Sequence, residues 1–139
     1  MDLDLLEIAI ENPKNANLAN LDIDSIKSDK NNILQQLKLD REKLKKFNKQ
    51  LKGYLYVDHI NKFKIGSMIR WIDILDLQDI NLRRGGLLCD IKSSNDNILC
   101  YVKLFNGSII TINYINCLIF QKFNQQELLI LKAFQLVNK

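Results

Sequence analysis

The spacing of hydrophobic residues changes near Gly66, and this change divides the chain into two kinds of pattern. Before Gly66 the apolar residues recur at intervals of three and four, which predicts amphipathic helices. After it they alternate with polar residues or form short runs between turn residues, which predicts antiparallel strands. We therefore expect an α+β fold, with N-terminal helices followed by a five-stranded antiparallel small barrel and a C-terminal helix.

Two helices are predicted in the first half. A short one runs through about residues 5–10 and ends at Asn12-Pro13, because the residue before proline is pushed out of the helical region. The Asn-rich residues 14–24 are expected to form a loop, and a long helix then begins at Ser25 or Asp29 and ends near Gly53. Its apolar stripe occupies a and d heptad positions, with Asp40 as the polar interruption. The stripe residues are Ile33, Leu37, Leu44, Phe47, Leu51 and Tyr54. Residues 54–63 fit either a strand or a helix.

Five strands are expected after Gly66, at about residues 67–74, 87–93, 98–105, 108–114 and 117–122. Asn106-Gly107 lies between two of them and tolerates the positive φ angles of a two-residue primed hairpin turn. Residues 94–97 supply the connection between the second and third strands. Asn124 and Glu127 then form a capping box that opens a helix over 124–137. This helix is apolar around most of its girth, so we expect it either to plug the barrel or to make an oligomer contact.

Charge is distributed unevenly along the chain. Residues 1–24 have a net charge of −5, residues 25–64 of +7 and residues 65–139 of +2. We accordingly predict two parts, a helical arm over 1–63 with an acidic leader and a basic helix, and the barrel with its C-terminal helix over 64–139. Two interpretations stay open: the leader folds back and neutralises the basic helix, or the helix meets an external polyanion. Arg83-Arg84-Gly85-Gly86 is likewise either a flexible turn or an anion contact.

The sequence argues against metal binding and membrane insertion. The three cysteines, Cys89, Cys100 and Cys117, have no C-x-x-C spacing and lie in apolar runs, which favours free thiols in a reducing compartment. With His59 as the one histidine, the usual zinc-ligand spacings are missing. No run approaches the roughly 20 apolar residues that a membrane span needs. We expect a soluble, unexported protein of the cytoplasm or nucleus of a host cell, or of a virion.

Catalytic machinery is not expected either. His59 has no nucleophilic partner in its Asp58-His59-Ile60 context, so a surface histidine is favoured. Asp73, Asp76 and Asp79 cluster in the first connection of the sheet, but their spacing does not fit a calcium loop. We predict no enzyme, no cofactor and no metal.

The strand spacing, together with Gly66, Gly85-Gly86 and Asn106-Gly107, resembles that of the Tudor-like and Sm-like small barrels over residues 64–123. The segments 66–72, 85–88 and 119–122 are also similar to proteins of giant DNA viruses, which implies a viral origin. The resemblance implies binding of nucleic acid or peptides through loops and one exposed face. Candidates for an aromatic cage of the Tudor kind are Trp71, Tyr101, Phe105 and Tyr114, although strand positions favour a core role.

Two functional hypotheses follow. In the preferred one the chain is a non-enzymatic nucleic-acid-binding module whose basic side chains neutralise phosphates. These side chains are Lys38, Lys45, Lys46, Lys49, Lys52, Arg83 and Arg84. The alternative is a structural or adaptor protein that binds other proteins through its apolar helices. A homo-oligomer would then form through Leu37, Leu44, Phe47 and Leu51 or through the 124–137 helix.

Overall fold

The structure is a computed structural model that describes residues 3–137, except for the side chains of residues 16, 17, 19 and 20. The helices are α1 (Leu3–Glu11), α2 (Ile23–Gln35), α3 (Arg41–Gln50) and α4 (Gln125–Val137). The strands are β1 (Tyr54–Tyr56), β2 (Met68–Asp73), β3 (Gly86–Ser94), β4 (Asn97–Lys103), β5 (Ile109–Asn113) and β6 (Cys117–Lys122). Short 3-10 helices cover Pro13–Asn20, Ile60–Lys62 and Tyr114–Asn116. The α+β class and the C-terminal helix are confirmed.

Contacts divide the chain into two compact units. We call Met1–Asn48 with Phe123–Lys139 the helical unit, and Lys49–Lys122 the sheet unit. The C-terminal helix thus groups with the N-terminal helices, and α1 contacts α4 within that unit. The predicted boundary between residues 63 and 64 stays a prediction.

The predicted long helix is wrong, because the chain breaks between α2 and α3. Lys38 has φ 54°, a left-handed conformation that no α-helix accommodates in its interior. Asp40 then begins a new helix, since its side chain accepts a hydrogen bond from the Lys43 backbone N–H at 2.8 Å. The predicted loop over 14–24 also differs, because it contains a 3-10 helix and the start of α2. Asp22 caps α2 through the Ser25 backbone N–H at 2.6 Å.

The predicted apolar stripe is used within the single chain. Phe47 is 4% exposed and Leu51 is fully buried, while Leu37 and Leu44 are half-buried. An oligomer contact through Phe47 and Leu51 would require side chains that the folded chain already covers. On α4, Ile130 is buried, whereas Leu136 near the C-terminal end of the helix is exposed.

The five predicted strands form and lie in one antiparallel sheet, but the predicted closed five-stranded barrel is wrong. The sheet has six strands in the order β1-β6-β2-β3-β4-β5. The additional strand β1 comes from the ambiguous segment after Gly53 and pairs with β6. In the described part of the chain β5 pairs with β4 alone, so the sheet has two free edges and stays open.

The two tight turns of the sheet differ in geometry, and the two-residue primed turn that the sequence predicts at Asn106-Gly107 lies instead at the other one. Asn95 and Asp96 both have positive φ and join the paired residues Ser94 and Asn97, so the two-residue primed turn is here. At the second hairpin only Gly107 has positive φ, and its N–H donates to the Leu104 carbonyl at 2.9 Å. The Asn106-Gly107 hairpin is therefore confirmed, whereas its two-residue turn type is wrong: a longer bulged loop closes it.

The core of the sheet unit lies on the inner face of this sheet. Alternation along each strand places Ile69 and Trp71 of β2, Cys100 and Val102 of β4 and Ile112 of β5 on that face. Leu88 of β3 belongs to the same cluster, so the core runs across neighbouring strands from β2 to β5, and the twisted sheet curls around it. The curl creates the concavity described next.

Candidate functional site

An open groove of about 480 Å³ lies in the sheet unit. Its lining is formed by Trp71, Asp73, Arg83, Arg84, Gly85, Leu104, Ile110 and Ile112. Four of these side chains are large and apolar, and three are charged. Its volume falls in the range of about 300–1,000 Å³ that small-ligand sites occupy, and an apolar lining with few polar groups is typical of them.

The walls of the groove come from strands that are not adjacent. Trp71 and Asp73 belong to β2, while Ile110 and Ile112 belong to β5, and β3 and β4 lie between them in the sheet. Residues two apart on a strand face the same side, so each strand contributes a pair to the groove. Trp71 is only 6% exposed and therefore forms part of the base rather than the rim.

The Arg83–Gly85 segment is held against β2 by backbone contacts. The Arg83 N–H donates to the Trp71 carbonyl at 2.8 Å, and Arg70 Nε donates to the Arg83 carbonyl at 2.9 Å. Gly85 has φ 93°, and a Cβ there would collide with the Ile69 carbonyl oxygen. Glycine is thus the residue that lets this segment approach β2 so closely.

Arg83 and Arg84 present the two free cations of the groove. Both side chains are exposed, and over residues 3–137 neither guanidinium forms an ion pair or a hydrogen bond. Asp73 lies in the same groove, where one of its oxygens accepts the Leu75 backbone N–H at 2.9 Å. Guanidinium groups without an internal counter-ion are suited to an external anion, which they bind through two parallel N–H donors.

The lysines predicted to bind nucleic acid are all exposed. Lys45, Lys46 and Lys49 lie on α3, whose buried side is marked by Phe47. Lys38 lies in the turn between α2 and α3, and Lys52 lies in the turn before β1. None of the five side chains forms an ion pair in the part of the chain that the structure describes. Neutralisation of these lysines by direct pairing with the acidic leader is therefore not observed there.

The seven predicted residues are divided between the two units. Lys38, Lys45 and Lys46 belong to the helical unit, whereas the other four belong to the sheet unit. Of these, Arg83 and Arg84 share the groove. The groove is accordingly the candidate site of the sheet unit.

The four aromatic side chains considered for a cage do not form one. The ring contacts of the described residues join Tyr56 to Phe120 and Phe63 to Tyr114. Phe105 is 70% exposed, and Lys92 lies 5.5 Å from the centroid of the Tyr101 ring. Trp71 alone of the four lines the groove.

The other residues considered for metal binding or catalysis form local hydrogen bonds or are partly buried. The Asp73, Asp76 and Asp79 carboxylates each accept a hydrogen bond from a residue two positions ahead. In residues 3–137 no three metal-ligating side chains cluster. His59 is exposed, and its Nδ1 accepts the Asn61 backbone N–H at 3.2 Å. Burial, with a smaller effect from Asp73, raises the pKa of the Cys117 thiol to about 11, so the thiol is neutral near pH 7.

Sequence reasoning missed part of the groove. From the sequence, Asp73 is tested only against a calcium loop, and Leu104, Ile110 and Ile112 are predicted only as strand residues. Their alternation does predict that Ile110 and Ile112 share a face with each other. No local pattern indicates that β5 and β2 line one concavity, because this depends on the curl of the whole sheet.

Comparisons of the chain with protein-family models, with curated proteins and with solved structures found no match. Over residues 3–137, no helix combines the length and apolar character needed to cross a membrane.

Proposed function

We propose that this protein is a non-enzymatic module that binds nucleic acid. The observation that supports the proposal is the pair of unneutralised guanidiniums, Arg83 and Arg84, on an apolar groove. Phosphate oxygens match the fork-shaped donors of arginine, and apolar groove walls accommodate the faces of bases. A ligand with only anionic groups would gain no favourable contact from the aliphatic lining of the groove.

The lysines of α3 supply a second source of phosphate contacts. Lys45, Lys46 and Lys49 are exposed and unpaired in the described residues, so each is available to displace a counterion from a nucleic acid. Such contacts raise affinity without selecting a sequence. In this proposal, α3 contributes general affinity and the groove contributes discrimination.

The fold is proposed to be related to the Tudor-like and Sm-like small barrels, with β1 as an addition. The support is that the five predicted strands form one sheet in which the last of them, β6, pairs with the first, β2. A viral origin and a place in the host cytoplasm, nucleus or virion belong to the same proposal.

The test is a binding titration of fluorescently labelled oligonucleotides at about 50 and 200 mM salt, read by anisotropy. Removing two phosphate contacts with Arg83→Ala/Arg84→Ala should weaken binding and lower the salt slope by about 1.4–1.8, since each contact contributes about 0.7–0.9. Lys14→Ala/Lys132→Ala is the matched control, because it removes two exposed charges from the helical unit.

The control should shift affinity much less than the arginine variant does. Absence of binding by the wild-type protein at about 50 mM salt would reject the proposal. Equal losses in the two variants would show that net charge, and not the groove, governs binding.

A protein-binding adaptor is the second candidate, and it is supported by exposed apolar residues in the helical unit. These are Leu3, Leu5, Ile8 and Ile10 on α1 with Leu128, Leu136 and Val137 on α4. Exposed aliphatic groups that form one contiguous patch mark an interaction surface. Light scattering should show self-association that Ile8→Asp abolishes, and a strict monomer that captures no partner would count against the adaptor.

A further inference from the structure

The groove combines features that select one form of nucleic acid, and the reasoning here rests on the proposed function. Its aliphatic walls, Leu104, Ile110 and Ile112, suit the flat face of a ring. In a duplex both faces of each base are covered by its stacked neighbours, so a base enters a pocket only when it is unpaired or flipped out. The apolar walls therefore favour a single strand.

Asp73 gives the groove a polar group of opposite sign to its arginines. One carboxylate oxygen accepts the Leu75 N–H, and no second hydrogen bond to this side chain occurs within residues 3–137. A carboxylate repels phosphate and accepts from N–H groups, as aspartate does from the exocyclic amine of cytosine. A nucleotide in the groove would place its phosphates toward Arg83 and Arg84 and its base toward Asp73.

We propose that this groove receives one unpaired base bearing an exocyclic amine, with Asp73 as the residue that selects it. The aliphatic walls hold the face of the base, and Arg83 and Arg84 bind the flanking phosphates. Cytosine bears such an amine, whereas thymine presents a carbonyl oxygen at the same position. Single-stranded dC is therefore preferred over single-stranded dT.

A different occupant would use the sheet edge instead. β5 is an edge strand of five uncharged residues, and by antiparallel alternation Ile109 and Thr111 direct their backbone groups away from β4. An extended acidic peptide pairing with that edge would also contact the arginines. The aliphatic pocket together with Asp73 favours a base, because Asp73 would repel an acidic side chain.

Trp71 provides a direct readout, because it is the only tryptophan of the chain and lines the groove. The whole 139-residue chain is titrated with single-stranded dC and dT oligomers, a duplex, an abasic strand of equal length, and polyglutamate. Anisotropy reports binding, and Trp71 emission reports occupation of the groove. We expect the dC strand to bind roughly tenfold more tightly than the dT or abasic strand and to change Trp71 emission more than the other probes do.

Asp73→Asn tests the selecting residue, and Asp76→Asn is its matched control. Asparagine keeps an oxygen for the Leu75 N–H but adds a donor, so the dC preference over dT should fall roughly tenfold. Asp76 accepts the Gln78 N–H in the next turn and lies outside the groove lining, so Asp76→Asn should leave the preference unchanged.

The outcomes separate this inference from the proposed function. Equal binding of the dC, abasic and duplex probes without change in Trp71 emission would overturn the inference and leave nucleic-acid binding standing. No binding of any oligonucleotide at about 50 mM salt would overturn both. A change in Trp71 emission with polyglutamate as large as that with dC would show that the groove receives a peptide.

Discussion

Replacing Gly85 by alanine tests the close approach that shapes the groove. A non-glycine residue in the left-handed region costs about 1–2 kcal/mol, and Gly85 has φ 93°. The added Cβ would also overlap the Ile69 carbonyl oxygen and lie 2.9 Å from Arg70 Cγ. Overpacking of this kind costs about 1–3 kcal/mol, so Gly85→Ala should reduce the free energy of unfolding by about 2–5 kcal/mol.

Gly107→Ala is the matched control. Gly107 has φ 89°, but a Cβ there would meet no heavy atom within 4 Å, so only the backbone cost of about 1–2 kcal/mol applies. Urea unfolding followed by Trp71 fluorescence reports on the sheet unit that contains both glycines. With an m-value of about 2 kcal/mol per M, the two variants should differ by about 0.5–1.5 M in midpoint. Equal midpoints would refute the claim that Gly85 is packed against β2.

Three further predictions concern stability and thiol reactivity. The Tyr114 hydroxyl donates to the Val57 carbonyl at 2.8 Å, so Tyr114→Phe should cost about 1 kcal/mol at neutral pH in urea unfolding. Burial raises the pKa of Tyr114 to about 12 from 10.0, so the stability that its neutral form supplies is present below pH 10 and lost as pH rises through 12. The Phe variant should therefore lose less stability than the wild-type protein over that pH range, and equal losses would contradict this. Asn124→Ala removes one side of the capping box on α4 and should cost about 1 kcal/mol in thermal unfolding followed by circular dichroism, whereas Asn124→Asp should cost less. Cys100 is fully buried, and burial raises its pKa to about 11, so mass spectrometry should find it alkylated only on unfolding and well after Cys89; equal rates in the native protein would contradict its burial.

Local rules predicted the elements whose signals lie within a few residues. The capping box at Asn124 and Glu127 forms as expected, with reciprocal hydrogen bonds of 2.8 and 3.0 Å. Period-two alternation located the five strands after Gly66, because each strand buries one face of its own residues. These features need no knowledge of distant parts of the chain.

Features that depend on distant contacts or on competing local choices were missed. The heptad pattern predicted one helix through residues 36–40, although the chain turns there. Apolar spacing carries no information about the N-cap that Asp40 forms for α3. β1 is three residues long and forms by pairing with β6, more than sixty positions away. The prediction of a closed barrel was wrong because the number and spacing of strands do not decide whether the two edges of a sheet meet.

The sequence predicts the charged residues of the candidate site but not the apolar groove in which they lie. Arg83, Arg84 and Gly85 stood out as a basic, glycine-containing turn, and the structure places them in the groove. Their apolar neighbours on β5 lie beyond two intervening strands, so only the curled sheet brings them together. The proposed role of Asp73 likewise depends on the folded sheet, which places it in the groove beside Arg83 and Arg84.

The most direct test of nucleic-acid binding in the groove is an NMR titration of the whole ¹⁵N-labelled 139-residue chain with a single-stranded dC oligomer. We expect the largest amide shift changes on residues 83–85, on Leu104 and on Ile110 and Ile112, with smaller changes along α3. Saturating binding that leaves these groove amides unshifted, with changes confined to α1 and α4, would contradict it.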